Sequence, residues 1–263
     1  MRKLTIFAVL IQLLSTSAFS QTINLAIEAN YPPDQAALVY EPIRDYLSKK
    51  TGMNVELDVQ ENYYFYWREA RNSSAQFTLD APHIAAYRIE EQGYIPLARI
   101  QENTSYHLIS TEEKPDSQNL NQFLVGKRVV MLPNPSLASM LFDEWFTDLF
   151  MQPNKIVSAL SWDDAIEQVF SQQAHAAIIP QWLFEQYPNF VSLKESKAYP
   201  GLTFLAAPTV SERNREAFKT AVLNLGQDQE SFGILAELFT EGFQEVDIKD
   251  YEGLADMLKA LLY

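Results

Sequence analysis

The stretch from Ile23 to Val59 reads INLAIEANYPPDQAALVYEPIRDYLSKKTGMNVELDV, and its hydrophobic period changes twice. Ile23, Leu25 and Ile27 recur at every second position, the pattern of a strand. A loop through Tyr31-Pro32-Pro33-Asp34 follows, and then Val39, Ile43, Tyr46 and Leu47 fall at helical spacing. Gly52 ends that helix, because glycine takes the left-handed C-terminal conformation without a Cβ penalty. Met53, Val55, Leu57 and Val59 alternate again and predict a second strand. Strand, helix, strand is the unit from which parallel sheets are built, since parallel neighbours need a crossover between them.

The same grammar continues outward. Gln76 to Leu79 reads as a short strand, Pro82 suits a first helical turn, and a helix through Ile84, Tyr87 and Ile89 stops at Gly93. Ile95–Ile100 and Tyr106–Ser110 are expected to be extended, and Glu112–Asn121 is expected to be a surface connection. Lys127–Leu132 predicts a strand, followed by Pro133-Asn134-Pro135-Ser136 and a helix from Leu137 to about Phe150. Ser161 with Asp164 resembles a capping box opening a helix through Ile166, Val169 and Phe170. Ala176–Ile179 and Thr203–Ala206 read as strands, Ser211 caps a helix that Gly226 ends, and two further helices are expected near 231–240 and 250–261. The chain is therefore expected to be α/β, with two lobes.

Composition narrows the function. With 34 acidic against 20 basic side chains and a formal charge of −14, the chain lacks the basic stripe that a nucleic-acid binder needs to displace counterions. The same excess opposes docking on an anionic membrane surface. The absence of cysteine removes disulfides, thiolate metal sites and cysteine nucleophiles, and His83, His107 and His175 are the only histidines. No metal site and no cofactor are predicted. No G-x-S-x-G, H-E-x-x-H, phosphate-loop or dinucleotide motif is present, so catalysis is not expected.

The N-terminus reads as an address. Arg2 and Lys3 precede an apolar run from Leu4 to Leu14, and Ala18-Phe19-Ser20 fits a small-x-small cleavage site. The run is too short for a membrane span, which takes about 20 apolar residues. Residues 1–20 are expected to be a cleaved signal peptide. With no cysteine after it, a lipid anchor is ruled out, and the mature protein is expected in the periplasm.

Candidate binding residues lie where strands hand over to helices. Asn134, Ser136 and Ser139 surround the start of a helix whose free N–H groups can hold an anion; the alternative is that Asn134 or Ser136 only caps it. Tyr63-Tyr64-Phe65-Tyr66-Trp67 are five consecutive aromatics, which one helix face cannot bury. Tyr63 and Tyr64 are taken as ligand candidates, as is Tyr31; three rings in the core and two over the surface is the competing arrangement. Asp80 and His83 flank Pro82 at a strand-to-helix junction, where Asp80 could equally be an N-cap. Trp162 and Gln181, the latter beside Trp182, occupy equivalent positions in the second half, with ordinary packing as the alternative.

Several segments together resemble the phosphate/phosphonate type of periplasmic solute-binding protein. Tyr40 to Gly52 followed by Val55-Glu56-Leu57 looks like that family's first helix and second strand. Tyr94-Ile95-Pro96-Leu97-Ala98, Leu124 to Val130, and Gly242-Phe243 with Asp250-Tyr251 and Leu254 look like later family segments. The resemblance implies a two-lobed periplasmic binding protein, each lobe a mainly parallel sheet flanked by helices, joined by two hinge strands. Mapped here, lobe one is 22–105 plus 207–263 and lobe two is 106–206. It implies a monomer that captures a small-molecule ligand between its lobes and delivers it to the membrane subunits of an ABC importer. Three pocket loops depart from the family pattern. Leu137 and Ala138 separate Ser136 from Ser139, Trp162 follows Ser161 where the family has histidine, and Pro180-Gln181 replaces a carboxylate. A site of more apolar character is therefore expected. Two other roles on this scaffold are a carrier of an apolar, lipid or sterol-like ligand and a ligand-sensing partner of a membrane receptor.

Overall fold

The computed structural model describes residues 22–227 and 229–261; the expected signal peptide lies outside the described residues. The chain runs β1 (Thr22–Ile27), α1 (Pro33–Thr51), β2 (Asn54–Val59), α2 (Tyr63–Asn72), β3 (Phe77–Asp80), α3 (Pro82–Gln92) and β4 (Ile95–Ile100). It then crosses to β5 (Tyr106–Ser110), α4 (Leu120–Leu124), β6 (Arg128–Val130), α5 (Leu137–Trp145), β7 (Asn154–Ile156), α6 (Trp162–Phe170), β8 (Ala176–Pro180), α7 (Gln181–Phe184) and β9 (Val191–Glu195). It returns through β10 (Thr203–Ala206), α8 (Glu212–Leu223), α9 (Phe232–Glu237) and β11 (Phe243–Gln244), and short 3-10 turns close the described chain.

Two sheets result. One is six-stranded in the order β11-β4-β10-β3-β1-β2, the other five-stranded in the order β7-β6-β8-β5-β9. β1 pairs parallel with β2 and β3, as the opening strand–helix–strand pattern requires. β10 lies antiparallel between β3 and β4, and β5 lies antiparallel between β8 and β9. Both sheets are thus mixed where mainly parallel ones were expected. The physical reason is the double crossing. A strand that enters a sheet from the other half of the molecule does not arrive through the helical crossover that parallel pairing needs.

Local chemistry accounts for the boundaries. Gly52 caps α1 at φ 71° and its N–H reaches the Ser48 carbonyl. Asn62 accepts the Tyr64 and Phe65 N–H groups at the head of α2. Within α2, Tyr63, Tyr66 and Trp67 face the core while Tyr64 is 69% exposed. α1 and α8 cover one face of the first sheet, joined by Tyr46 Oη–H donating to the Ala221 carbonyl at 3.2 Å. Phe77 stacks on Phe218 at 4.2 Å beneath them. None of the helices among the described residues is long and apolar enough to cross a membrane.

The two crossing segments touch. Thr104 and Tyr199 exchange both backbone hydrogen bonds at 2.9 Å, and the Ile100 N–H donates to the Leu202 carbonyl at 2.9 Å. Gly201 permits this approach. A Cβ there would sit 2.6 Å from Ile100 Cβ and 2.8 Å from the Glu102 carbonyl oxygen.

Candidate functional site: a cavity between the two sheets

A cavity of about 660 Å³ opens where the two halves and both crossing segments meet, within the range of small-molecule sites. Asn30, Tyr31, Tyr40 and Pro82 line it from the first sheet's side; Tyr106, Trp162, Gln181 and Trp182 line it from the second. Gln101–Thr104 and Pro200–Leu202 form the wall at the crossing, and Glu237–Glu241, at and just after the end of α9, close the rim. The position follows from the fold. Asn30 and Tyr31 follow the carboxyl end of β1, while Pro82, Trp162 and Gln181 open helices after β3, β7 and β8, which is where open α/β sheets present ligand loops.

Its floor is aromatic. Tyr31 meets Tyr40 edge-on at 6.2 Å, and Tyr106 meets Trp162 at 6.0 Å. Burial, then the charges of Asp163 and Glu237, push the Tyr31 hydroxyl up to about 12. Burial also raises Tyr40 and Tyr106. These phenols therefore stay neutral donors at physiological pH. Trp182 and Phe239 stack at 4.2 Å with planes 16° apart, joining the second half to the segment after α9.

Beneath Asn30 lies a buried acid. Glu28 Oε2 accepts from Asn30 Nδ2 at 3.1 Å, and Oε1 lies 3.1 Å from the Tyr63 hydroxyl. That hydroxyl is nearer to Asn30 Oδ1, at 2.5 Å. It has one proton to give, so the contact with Glu28 is completed when Glu28 is protonated and donates in turn. Burial above all, reinforced by the charge of Asp80, raises Glu28 to about 7 against the pull of these hydrogen bonds.

The sequence candidates divide by position. Tyr31, Trp162 and Gln181 line the cavity. Gln181 Oε1 accepts from Ser105 Oγ–H at 3.0 Å, and its Nε2 donates to Glu185 at 2.7 Å. Tyr63 sits behind Asn30 and is 1% exposed; Tyr64 faces solvent beside Phe65, away from the cavity. The Asp80 carboxylate is fully buried and accepts from Tyr66 and, at 2.5 Å, from Thr78, and it pairs with Arg88 at 2.8 Å. Ala81, not Asp80, is the N-cap of α3.

His83 is fully buried and its Nε2 lies 2.6 Å from the Pro135 carbonyl. A carbonyl can only accept, so Nε2 carries the proton and the ring is the Nε2–H tautomer. This bond ties α3 of the first half to the loop after β6 in the second. Burial lowers His83 to about 4. In that same loop Ser136 caps α5, accepting the Ser139 N–H at 3.2 Å and donating to the Leu132 carbonyl at 2.8 Å. Ser139 Oγ donates to Asn134 Oδ1. Asn134, Ser136 and Ser139 thus satisfy one another and are not among the residues lining the cavity.

Sequence reading missed Asn30, Tyr40, Tyr106, Phe239 and the rim glutamates. Tyr106 carried a weak signal as the first residue after the first crossing. Phe239, at φ 50°, carried none, because only the return of the chain after α9 brings it to the cavity.

Two α/β halves, a double crossing and a cavity between them define a two-lobed periplasmic binding protein fold. Residues 25–251 match the model of the family described as ABC transporter, phosphonate, periplasmic substrate-binding protein, and the chain belongs to that family of periplasmic, small-ligand-binding transporter components. Solved structures show the same fold at low identity. PhnD1 from Prochlorococcus marinus, in complex with methylphosphonate, is 15% identical over 92% of this chain and 99% of its own, with a TM-score of 0.77. A binding protein component of an ABC phosphonate transporter from Pseudomonas aeruginosa is 14% identical over 90% of this chain and 85% of its own, at 0.72. A Xanthomonas citri protein bound to ATP is 12% identical over 92% of this chain and 98% of its own, at 0.70. No curated protein matches the chain.

Proposed function

We propose that the protein captures a small organic solute in the cavity between its lobes and delivers it to the membrane subunits of an ABC importer, without chemical change to the solute. The observation that carries this reading is the composition of the cavity wall, to which both sheets and both crossing segments contribute. A ligand seated there touches every part that a change in lobe angle would move, so its binding energy couples to lobe position. The lobes on this reading follow the two sheets, 22–100 plus 203–261 and 106–195, with segments 101–105 and 196–202 as the hinge. Residues 203–206, expected in lobe two, pair as β10 between β3 and β4 and belong with the first. Tyr31, Trp162 and Gln181 are the sequence candidates that contact the solute. The protein acts as a monomer in the periplasm, released there by cleavage after residue 20.

The departure from a simple anion site supports a solute with a substantial non-anionic body. The serine turn of the second half is committed to internal hydrogen bonds, and aromatic rings hold the positions around the cavity floor. Native mass spectrometry of protein purified from its own host tests the reading. A retained small molecule at one per chain is the expected result. Its absence, together with no stabilisation by any solute in a broad panel, would remove solute capture.

A further inference from the structure

Six aromatic rings line the cavity, four of them on its floor: Tyr31, Tyr40, Tyr106 and Trp162. Glu102, Glu185, Glu237 and Glu241 line it as well. Lysine, arginine and histidine do not occur among the described lining residues, although the chain has 20 lysines and arginines in all. Glu102 spends hydrogen bonds on Thr240 Oγ1 (2.5 Å) and the Glu241 N–H (2.9 Å), and Glu185 on Gln181. None of the four glutamates forms an ion pair among the described residues. Their charge is left for something else.

A compact dianion would meet no cationic side chain in this space, only the N-termini of α3, α6 and α7, and would face four carboxylates along the wall and rim. A metal ion fits no better, because among the described residues nowhere do three His, Cys, Asp or Glu side chains converge on a point that could hold one. Electron-rich ring faces below and dispersed carboxylates above are the two groups that attract a diffuse organic cation. We propose that the solute is an organic cation bearing an ammonium centre, its charged group seated over the floor rings and its remainder reaching toward the glutamate rim. This rests on the reading of the cavity as the capture site.

Thermal-shift titration of the purified protein tests it, with choline and spermidine as cationic probes and methylphosphonate and inorganic phosphate as anionic ones. A ligand that binds only the folded state raises Tm with its concentration. A rise with choline or spermidine and none with the anions is expected. In a Glu185→Gln/Glu237→Gln variant the cation dissociation constant should then increase about 3- to 10-fold at low salt, less at high salt. A cation shift unchanged in that variant would place the ion elsewhere on the acidic surface and overturn the proposal. A shift with methylphosphonate or phosphate alone would overturn it too, while leaving solute capture intact. Silence from all four probes is decided by the retained mass and the broad solute panel: a cation supports the proposal, a neutral or anionic molecule overturns it, and no retained molecule with no stabilisation across the panel overturns both readings.

Discussion

Burial moves Glu28 from its ordinary 4.5 up to about 7 and His83 from 6.5 down to about 4. For Glu28 the folded state holds the proton more tightly than the unfolded chain. Its stabilisation is complete below pH 4.5 and is lost as pH rises through 7, a change of roughly 3 kcal/mol. For His83 the folded state holds the proton less tightly, so stability falls as pH drops from 6.5 through 4, by a similar amount. Between pH 4.5 and 6.5 the two slopes oppose each other. Glu28→Gln should therefore gain stability relative to wild type as pH rises across that window. His83→Gln, which keeps a donor for Pro135, should gain relative to wild type as pH falls. Urea midpoints at several pH values check both, and parallel curves for either variant would remove its residue from the balance. Asp80 gives a different expectation. With Arg88 at 2.8 Å and both side chains at most 1% exposed, Asp80→Asn leaves a buried guanidinium without its partner, at a cost of about 3–5 kcal/mol. Because Asp80 does not line the cavity, solute affinity of the folded fraction should stay unchanged, and calorimetry of the refolded variant measures it.

The elements show which parts of the fold sequence can reveal. α1 was legible because its apolar spacing, its C-terminal glycine and the flanking strands all agree, and agreement across levels is what makes a segment readable. β7, β9 and β11 were not. Each is a short edge strand, and Phe243 is the one buried residue across all three, so ladder hydrogen bonds define each and no alternating pattern is needed. α4 begins at the end of the polar stretch 112–121 expected to be a connection and runs past it, opened by a capping box of Asn119 and Gln122. α5 ends at Trp145 and not near Phe150, because Leu149 and Phe150 continue the apolar pattern while standing 76% and 93% exposed. At the site, Trp162 and Gln181 were visible as the residues just after a helix cap and a strand end. Asp164 N–H does donate to Ser161 Oγ at 3.1 Å, but the Asp164 carboxylate accepts from Leu160 N–H instead of closing the box. The crossing segments carry the prediction at this scale. Gly201→Ala forces its Cβ against Ile100 and the Glu102 carbonyl, and overpacking of this kind costs about 1–3 kcal/mol. The variant should lose that stability in urea and bind solute more weakly, since Gly201 and Leu202 line the cavity; unchanged values would mean that the crossing segments separate freely.

Across the whole molecule, few contacts join the halves away from the crossing, and two of them are specific. His83 holds the Pro135 carbonyl on one side, and Trp182 stacks on Phe239 on the other. Phe239 takes a positive φ that a bulky L-residue rarely adopts, so the stack has to outweigh a local backbone cost. An aligned aromatic pair contributes about 0.5–1.5 kcal/mol beyond its buried area. If that energy holds the lobes together, Phe239→Ala shifts the lobe equilibrium toward separation by about 2- to 12-fold, and the apparent solute affinity falls by no more than the same factor. The fold of each half should survive, because Phe239 is 44% exposed and lies outside both sheets. Small-angle scattering should then show a larger radius of gyration for the solute-free variant and convergence with wild type at saturating solute. A variant that scatters like wild type without solute yet binds more weakly would make Phe239 a contact residue of the cavity, with no part in holding the lobes closed.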